Sequence, residues 1–160
     1  MILRKGEVRR GEAGAAERAQ KGAREWLHYS DAGSITQFGA YVETLQPGAG
    51  SSERHWHEKE DEFLYMLSGE ATVLEDDAAQ VLHPGDAACW PAGTPVAHSV
   101  VNRSSAPCSY LIVGTRVTHD VCHYPGTGRV LYTEGTEWRI EGADGTVLES
   151  GKCKSPPGRD

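Results

Sequence analysis

The chain has 160 residues, 38% of them hydrophobic and 24% charged, and its formal net charge is −7. These values predict one globular domain with its own core, rather than a disordered or fibrous chain. The acidic balance argues against nonspecific binding to nucleic acid, which depends on clustered Lys and Arg side chains.

Membrane and secretion signals are not expected from the sequence. No apolar run approaches the roughly 20 residues of a membrane-spanning helix, and the N-terminus lacks the apolar stretch of a secretory signal. We therefore expect a cytoplasmic protein that does not bind a membrane. In a reducing compartment the cysteines, which form no CxxC pair, are expected to be free thiols. They are Cys89, Cys108, Cys122 and Cys153.

The predicted elements begin with a weakly structured N-terminal segment. Residues 1–30 are rich in Ala, Glu, Arg and Gly, and they show no apolar stripe that a helix could bury. We interpret this segment as a partly ordered arm that docks onto the domain near Trp26 and Leu27.

From Ile35 onward, short apolar and β-branched segments alternate with Gly and Pro turns. Strands are expected in ITQFGAYVETL, ERHWH, EFLYMLSGE, ATVLE, AQVLHPGD, AACW, VAHSVVN, CSYLIVGTRV, GRVLYT, EWRI and GTVLE. Short strands at this regular spacing predict an all-β sandwich or barrel over residues 31–150. Residues 151–160 are polar and rich in Pro, and we expect a flexible C-terminal tail there.

A pair of histidines marks the most informative stretch, SSERHWHEKEDEF. In an extended segment His55 and His57 point to the same side, and two imidazoles on one face can share a metal ion. The acidic side chains that follow offer a third ligand. They are Glu58, Glu60, Asp61 and Glu62. Glu62 is favoured because it opens the next strand, and His98, isolated in a later apolar strand, is the candidate for a fourth ligand.

These residues resemble the two conserved motifs of the cupins. The first motif is matched by His55-x-His57-x4-Glu62-x6-Gly69, and the second by Gly85-x5-Pro91-x-Gly93 followed by His98-x3-Asn102. In the family the second-motif histidine usually comes three residues after the last glycine, where this chain has Val96. His98 comes five residues after that glycine, but it keeps the family's spacing to Asn102 and the strand parity.

The resemblance implies a double-stranded β-helix, the jelly-roll-like cupin barrel, with a pocket for a small-molecule ligand and a homodimeric assembly. It also implies one divalent transition metal, bound by His55, His57, Glu62 and His98. Three imidazoles and one carboxylate suit Mn, Fe, Ni, Co or Zn, and the sequence does not choose among these metals.

Two classes of function stay open. One is a small-molecule metalloenzyme, an isomerase, lyase or dioxygenase, that acts on a small polar metabolite such as a sugar or keto acid. The other is a noncatalytic cupin that binds a small metabolite. A titratable Glu or Tyr beside the metal would favour the enzyme, and a closed apolar pocket would favour the binder. The strand residues to consider as acid or base are Tyr41, Glu43, Tyr65 and Tyr110.

A sugar-phosphate substrate would favour Arg or Lys side chains in the pocket. Arg54, Arg103 and Arg116 lie at the ends of predicted strands, and none is predicted to face clearly inward, which disfavours a phosphate-specific pocket. The other histidines are interpreted as hydrogen-bonded core residues. They are His28, His83, His119 and His123.

Overall fold

The computed structural model describes residues 1–152. The first two residues of the predicted tail 151–160 belong to the last strand, and the rest, which includes Cys153, lies outside the described residues. The strands are β1 (Arg10–Glu12), β2 (Arg24–His28), β3 (Phe38–Leu45), β4 (Trp56–His57), β5 (Glu62–Ser68), β6 (Ala71–Glu75), β7 (Ala78–Leu82), β8 (Ala87–Trp90), β9 (His98–Val101), β10 (Cys108–Thr115), β11 (His119–Tyr124), β12 (Arg129–Glu134), β13 (Glu137–Glu141) and β14 (Val147–Lys152). Two short helices, α1 (Ala15–Lys21) and α2 (Tyr29–Ala32), and a 3-10 turn at Lys5–Glu7 lie near the N-terminus.

The strands form three antiparallel sheets. The six-stranded sheet has the order β1-β2-β3-β10-β5-β8, the five-stranded sheet β14-β13-β12-β11-β4, and the three-stranded sheet β7-β6-β9. The predicted all-β class is therefore confirmed. Among residues 1–152, no helix has both the length and the apolar character needed to cross a bilayer.

Strand alternation explains which side chains form the core. In β5, Leu64 and Met66 are fully buried, whereas the alternating Phe63 and Tyr65 are 37% and 39% exposed. Because side chains on a strand alternate between faces, this pattern places Glu62 on the inward side. Neighbouring strands supply the rest of the same core, including Leu45, Val73, Val100, Tyr110 and Ile112.

The N-terminal segment joins the six-stranded sheet through strand pairing. β2 pairs with β3 along its whole length, and β1 pairs with β2. Arg24 in β2 then forms ion pairs with Glu17 in α1 and with the buried Glu43 in β3. Backbone hydrogen bonds and buried ion pairs hold the segment on the sheet. Because no apolar helix face is involved, the amino-acid composition of the segment did not predict this attachment.

The three motif glycines, Gly69, Gly85 and Gly93, adopt backbone conformations that other residues rarely take. Gly69 follows β5 with a φ of +74°, and a Cβ at this position would lie 2.6 Å from the Pro107 carbonyl oxygen. Gly93 has a φ of +75°, and its N–H donates to the His57 carbonyl oxygen over 2.9 Å. The turn before β9 is thereby fixed against β4, so the second motif lies beside the first.

Candidate metal centre

The predicted ligands come from three segments that meet inside the barrel. His57 lies in β4, Glu62 opens β5 and His98 opens β9. His55 and His98 face each other across an isolated antiparallel bridge, in which each residue's N–H donates to the other's carbonyl oxygen over 3.1 and 2.9 Å. This bridge brings the two imidazole rings to a centroid separation of 4.9 Å, so the two extra residues before His98 do not turn it away from His55.

The structure brings three of the four predicted ligands into one group. Glu62 Oε2 lies 2.6 Å from His98 Nε2 and 3.6 Å from His55 Nε2, and the ligand atoms of this group all lie within 4.8 Å of one another. His57 lies beside it, with its ring 5.1 Å from that of His55. His57 also belongs to two further groups of potential ligands: His55, His57 and Cys122, and His57, Glu60 and Asp120.

Hydrogen bonds fix the orientation of the first two histidines. His57 Nδ1 donates to Asp120 Oδ2 over 2.6 Å, and His55 Nδ1 donates to the Glu53 carbonyl oxygen over 2.8 Å. In each ring the Nε2 atom is therefore left as the nitrogen that can bind a metal, an arrangement that is general among metal-binding histidines. Asp120 lies 63 residues after His57, and no sequence motif predicted its contact with His57.

Replacement of Asp120 with Asn is expected to weaken metal binding about 10- to 100-fold, because the amide is a poorer acceptor for His57 Nδ1–H and orients the ring less firmly. Competition with a chelating dye measures the affinity. The control is Asp86→Asn, since Asp86 is an exposed turn residue that accepts a hydrogen bond from the His83 backbone N–H. Equal affinity in Asp120→Asn and the wild type would show that Asp120 does not position His57.

The electrostatics of the group suit a cation. Burial acts to raise the pKa of Glu62, but the hydrogen bond with His98 and the neighbouring histidines outweigh it and lower the pKa to about 2. Burial lowers the pKa of His55. Glu62 is therefore anionic and His55 neutral, which are the protonation states that metal ligands require.

Two cavities adjoin the histidines. The larger, about 400 Å³, opens beside His57 and Glu62, and its wall includes Arg24, Tyr41, Glu60 and Arg116. A smaller cavity of about 230 Å³ lies on the His55 and His98 side and includes Tyr110. Arg116 thus lines the larger cavity, contrary to the expectation that it does not face inward, and its side chain is only 5% exposed.

The other titratable candidates divide between the cavities and the surface. Glu43 lines both cavities, whereas Tyr65 is 39% exposed on the outer face of β5. Glu60 accepts a hydrogen bond from the Val117 N–H over 3.2 Å, and burial raises its pKa to about 7. The interpretation of His83 and His119 as core residues is wrong, because their side chains are 64% and 69% exposed at turns and strand ends.

Comparison with known proteins identifies the fold. The sequence matches the family model of the cupin domain over residues 41–114. A crystal structure described as a sugar phosphate isomerase of the cupin superfamily, from Silicibacter pomeroyi, matches with a TM-score of 0.85 and 32% identity. The match covers 93% of this chain and 97% of that chain. The chain belongs to the cupin superfamily.

Two further crystal structures resemble this cupin. A putative sugar phosphate isomerase from Acidithiobacillus ferrooxidans matches with a TM-score of 0.74 and 28% identity, over 86% of this chain and 96% of that one. A predicted oxalate decarboxylase from Thermotoga maritima matches with a TM-score of 0.60 and 25% identity, over 72% of this chain and 98% of that one. No curated protein sequence matches this cupin. The predicted jelly-roll-like barrel is confirmed by these similarities.

The residues present in this cupin fit a divalent transition metal. A carboxylate and two imidazoles converge in one group, and a third imidazole lies beside it with its Nδ1 atom engaged. Neutral imidazoles with one carboxylate are ligands that several first-row metals accept, so the donor set fits Mn, Fe, Ni, Co or Zn without selecting one.

Proposed function

We propose that this cupin is a metal-dependent isomerase of a small sugar or sugar phosphate. The observation that carries the proposal is the cavity of about 400 Å³, in which Glu60, Tyr41 and two arginines lie beside His57 and Glu62. The similarity to two structures described as a sugar phosphate isomerase and a putative one supports the same class of reaction. The metal ligands in this proposal are His55, His57, Glu62 and His98.

The cavity has the size and polarity for a sugar. Its volume lies within the range of about 300–1,000 Å³ that is usual for small-molecule sites. Carboxylates and guanidinium groups in its wall supply the acceptors and donors that sugar hydroxyls require. Arg24 pairs with Glu17 and Glu43, and Arg116 pairs with Asp31. Because these carboxylates largely balance the positive charge of the two arginines, we include unphosphorylated sugars among the proposed substrates.

Isomerisation of an aldose to a ketose moves one proton from the hydroxyl-bearing carbon to the adjacent carbonyl carbon and a second proton from that hydroxyl oxygen to the carbonyl oxygen. A divalent ion held by the histidines and Glu62 would polarise that carbonyl group. Glu60 is the residue that we assign to the proton transfer, because its carboxylate lies in the cavity wall next to His57 and Glu62. One Glu60 oxygen accepts the Val117 N–H, and the other is left to take the proton from one carbon and return it to the next.

The noncatalytic alternative is a cupin that only binds a small metabolite. A closed apolar pocket would favour that function. The larger cavity instead holds carboxylates, arginines and a tyrosine beside the candidate metal ligands, which favours an enzyme. The lyase alternative has weaker support, because the similarity to the predicted oxalate decarboxylase covers 72% of the chain at 25% identity.

The test is an isomerisation assay of the metal-loaded protein with aldoses, ketoses and their phosphates in deuterated water. Proton NMR follows both product formation and deuterium incorporation next to the carbonyl group. We expect interconversion of an aldose and a ketose that stops when the metal is removed by a chelator and resumes when it is restored. If the loaded protein binds sugars but neither interconverts any aldose and ketose nor incorporates deuterium next to the carbonyl group, the isomerase proposal is wrong and the binding module replaces it.

We also propose a homodimer, as the family resemblance implies, and a cytoplasmic location. The outer face of the six-stranded sheet carries a set of large apolar side chains that are 37% to 45% exposed, and a second copy of the chain would cover them. They are Phe38, Phe63, Tyr65 and Leu67. Sedimentation equilibrium is expected to give twice the mass of the chain for the wild type and the mass of a monomer for Phe63→Glu. A wild-type monomer at micromolar concentration would contradict the dimer.

A further inference from the structure

The inner face of β11 lies against the candidate metal centre. β11 pairs with β4 in the antiparallel register that sets Cys122 opposite His57, and directly opposed residues place their side chains on the same face of a sheet. Alternation along the strand adds Asp120 and Tyr124 to that face. Asp120 contacts His57, and the Tyr124 ring stacks on that of His55 at a centroid distance of 5.9 Å. Between them, Cys122 faces both histidines.

The Cys122 thiol forms a compact group with these histidines. Its sulfur and one nitrogen from each ring of His55 and His57 lie within 4.8 Å of one another. Cys122 is 2% exposed and forms no disulfide. Because the Nδ1 atoms of both rings are engaged with Asp120 and Glu53, the Nε2 lone pairs are the ones left for a shared ion.

The side chains around Cys122 differ from those around Cys108, the other buried cysteine that the structure describes. Cys108 is fully buried within the main hydrophobic cluster, among aliphatic and aromatic side chains, whereas Cys122 is not part of that cluster. Packing therefore accounts for Cys108 but does not account for a thiol placed against two imidazoles. The pair of cysteines also provides a matched comparison, since both are buried and both are free.

We infer that Cys122 supplies a thiolate to the metal bound by His55 and His57. The inference rests on the proposed metal centre and adds a sulfur ligand to its donors. On binding, Cys122 releases its thiol proton to solvent and a sulfur lone pair forms the bond to the ion, with no electron transferred.

A sulfur ligand narrows the choice of metal. Thiolates are soft ligands that favour Zn, Co and Fe(II), whereas Mn(II) is suited to carboxylate, carbonyl and water ligands. Three imidazoles and a carboxylate leave this choice open. With Cys122 included, the protein is expected to take zinc, cobalt or ferrous iron in preference to manganese.

Absorption spectroscopy of the cobalt-loaded protein tests the inference. The wild type is expected to show a thiolate-to-cobalt charge-transfer band in the near ultraviolet. Cys122→Ala should lose the band while still binding cobalt through its histidines and Glu62. Cys108→Ala, the buried control, and Cys89→Ala, the exposed control, should both keep it.

Three results would overturn the inference, and they separate it from the proposed metal centre. If the wild type binds cobalt without the band, or if the band persists in Cys122→Ala, Cys122 is not a ligand although the metal centre stands. If the wild type binds no cobalt, both fail. X-ray absorption of the zinc-loaded wild type gives the same answer without any variant, because a sulfur neighbour at about 2.3 Å is resolved from nitrogen and oxygen neighbours.

Discussion

Replacement of Glu60 with Gln is expected to lower kcat for sugar isomerisation by about two to four orders of magnitude, the usual contribution of a positioned general acid or base. Gln keeps an oxygen that can accept the Val117 N–H, so the local fold should hold. The amide cannot take a proton from a substrate carbon. KM should change little, because the cavity keeps its shape and its other polar groups.

Two further measurements separate proton transfer by Glu60 from metal binding by Glu60. Its carboxylate forms a potential ligand group with His57 and Asp120, so the metal content of Glu60→Gln must be determined. Asp61→Asn is the matched control, because Asp61 belongs to the same acidic stretch but is exposed and accepts the Ala92 N–H. Loss of metal in Glu60→Gln would make Glu60 a ligand, and an unchanged kcat would remove it from the reaction.

The second large effect is expected at Arg24, which we predict to stabilise the folded protein by balancing a buried carboxylate. Glu43 is 3% exposed. One of its oxygens accepts Arg24 Nη1–H over 2.9 Å, and the other accepts the Tyr110 hydroxyl over 2.8 Å. Removing one partner of a buried ion pair leaves the other charge without compensation. Arg24→Met should therefore lower the free energy of unfolding by about 3 kcal/mol, measured by denaturant titration.

The pH dependence of this loss follows from the carboxyl group. Burial raises the pKa of Glu43, and the Arg24 guanidinium opposes that rise, so removing Arg24 raises the pKa further. A carboxyl group whose pKa is higher in the folded state adds stability as the pH falls toward its unfolded-state pKa. The loss in free energy of unfolding caused by Arg24→Met should therefore be smaller at mildly acidic than at mildly alkaline pH.

Two variants sharpen the test at Arg24. Arg24→Met combined with Glu43→Gln should recover much of the lost stability, because no buried charge is left unbalanced. Arg10→Met is the control, since Arg10 pairs with Glu25 on the surface and its removal should leave the unfolding curve unchanged. If Arg24→Met is as stable as the wild type, or if Glu43→Gln gives no recovery, the ion pair does not stabilise the fold.

The predictable part of the fold is the part governed by local pattern. The apolar segment EFLYMLSGE predicted a strand, and the structure has one at Glu62–Ser68 with Leu64 and Met66 buried on one of its faces. Two extra residues before His98 preserve the strand face on which its side chain lies. In the structure His98 opens β9 and bridges to His55, as that expectation requires. Both results depend on the period-two geometry of strands, which is visible in a single sequence.

The less predictable part depends on contacts between distant residues. Asp120 meets His57 across 63 positions, and Cys122 faces His57 only because β11 pairs with β4 in one register. Arg24 and Arg116 reach the larger cavity from distant parts of the chain, the first from β2 and the second from the residue that follows β10. The sequence offered Glu60 only as one of four acidic candidates for the third ligand, and its place in the cavity wall depends on the contact that its carboxylate makes with the Val117 N–H.

Metal analysis of the tag-free protein tests the central claim most directly, namely that the histidines and Glu62 hold a divalent ion. Elemental analysis is made on protein as purified and after loading with Mn, Fe, Co, Ni or Zn. The wild type and His83→Ala, whose histidine is exposed, are predicted to hold about one ion per chain. His57→Ala and His98→Ala are predicted to lose it. A loaded wild type without metal, or full occupancy in both ligand variants, would contradict the metal centre.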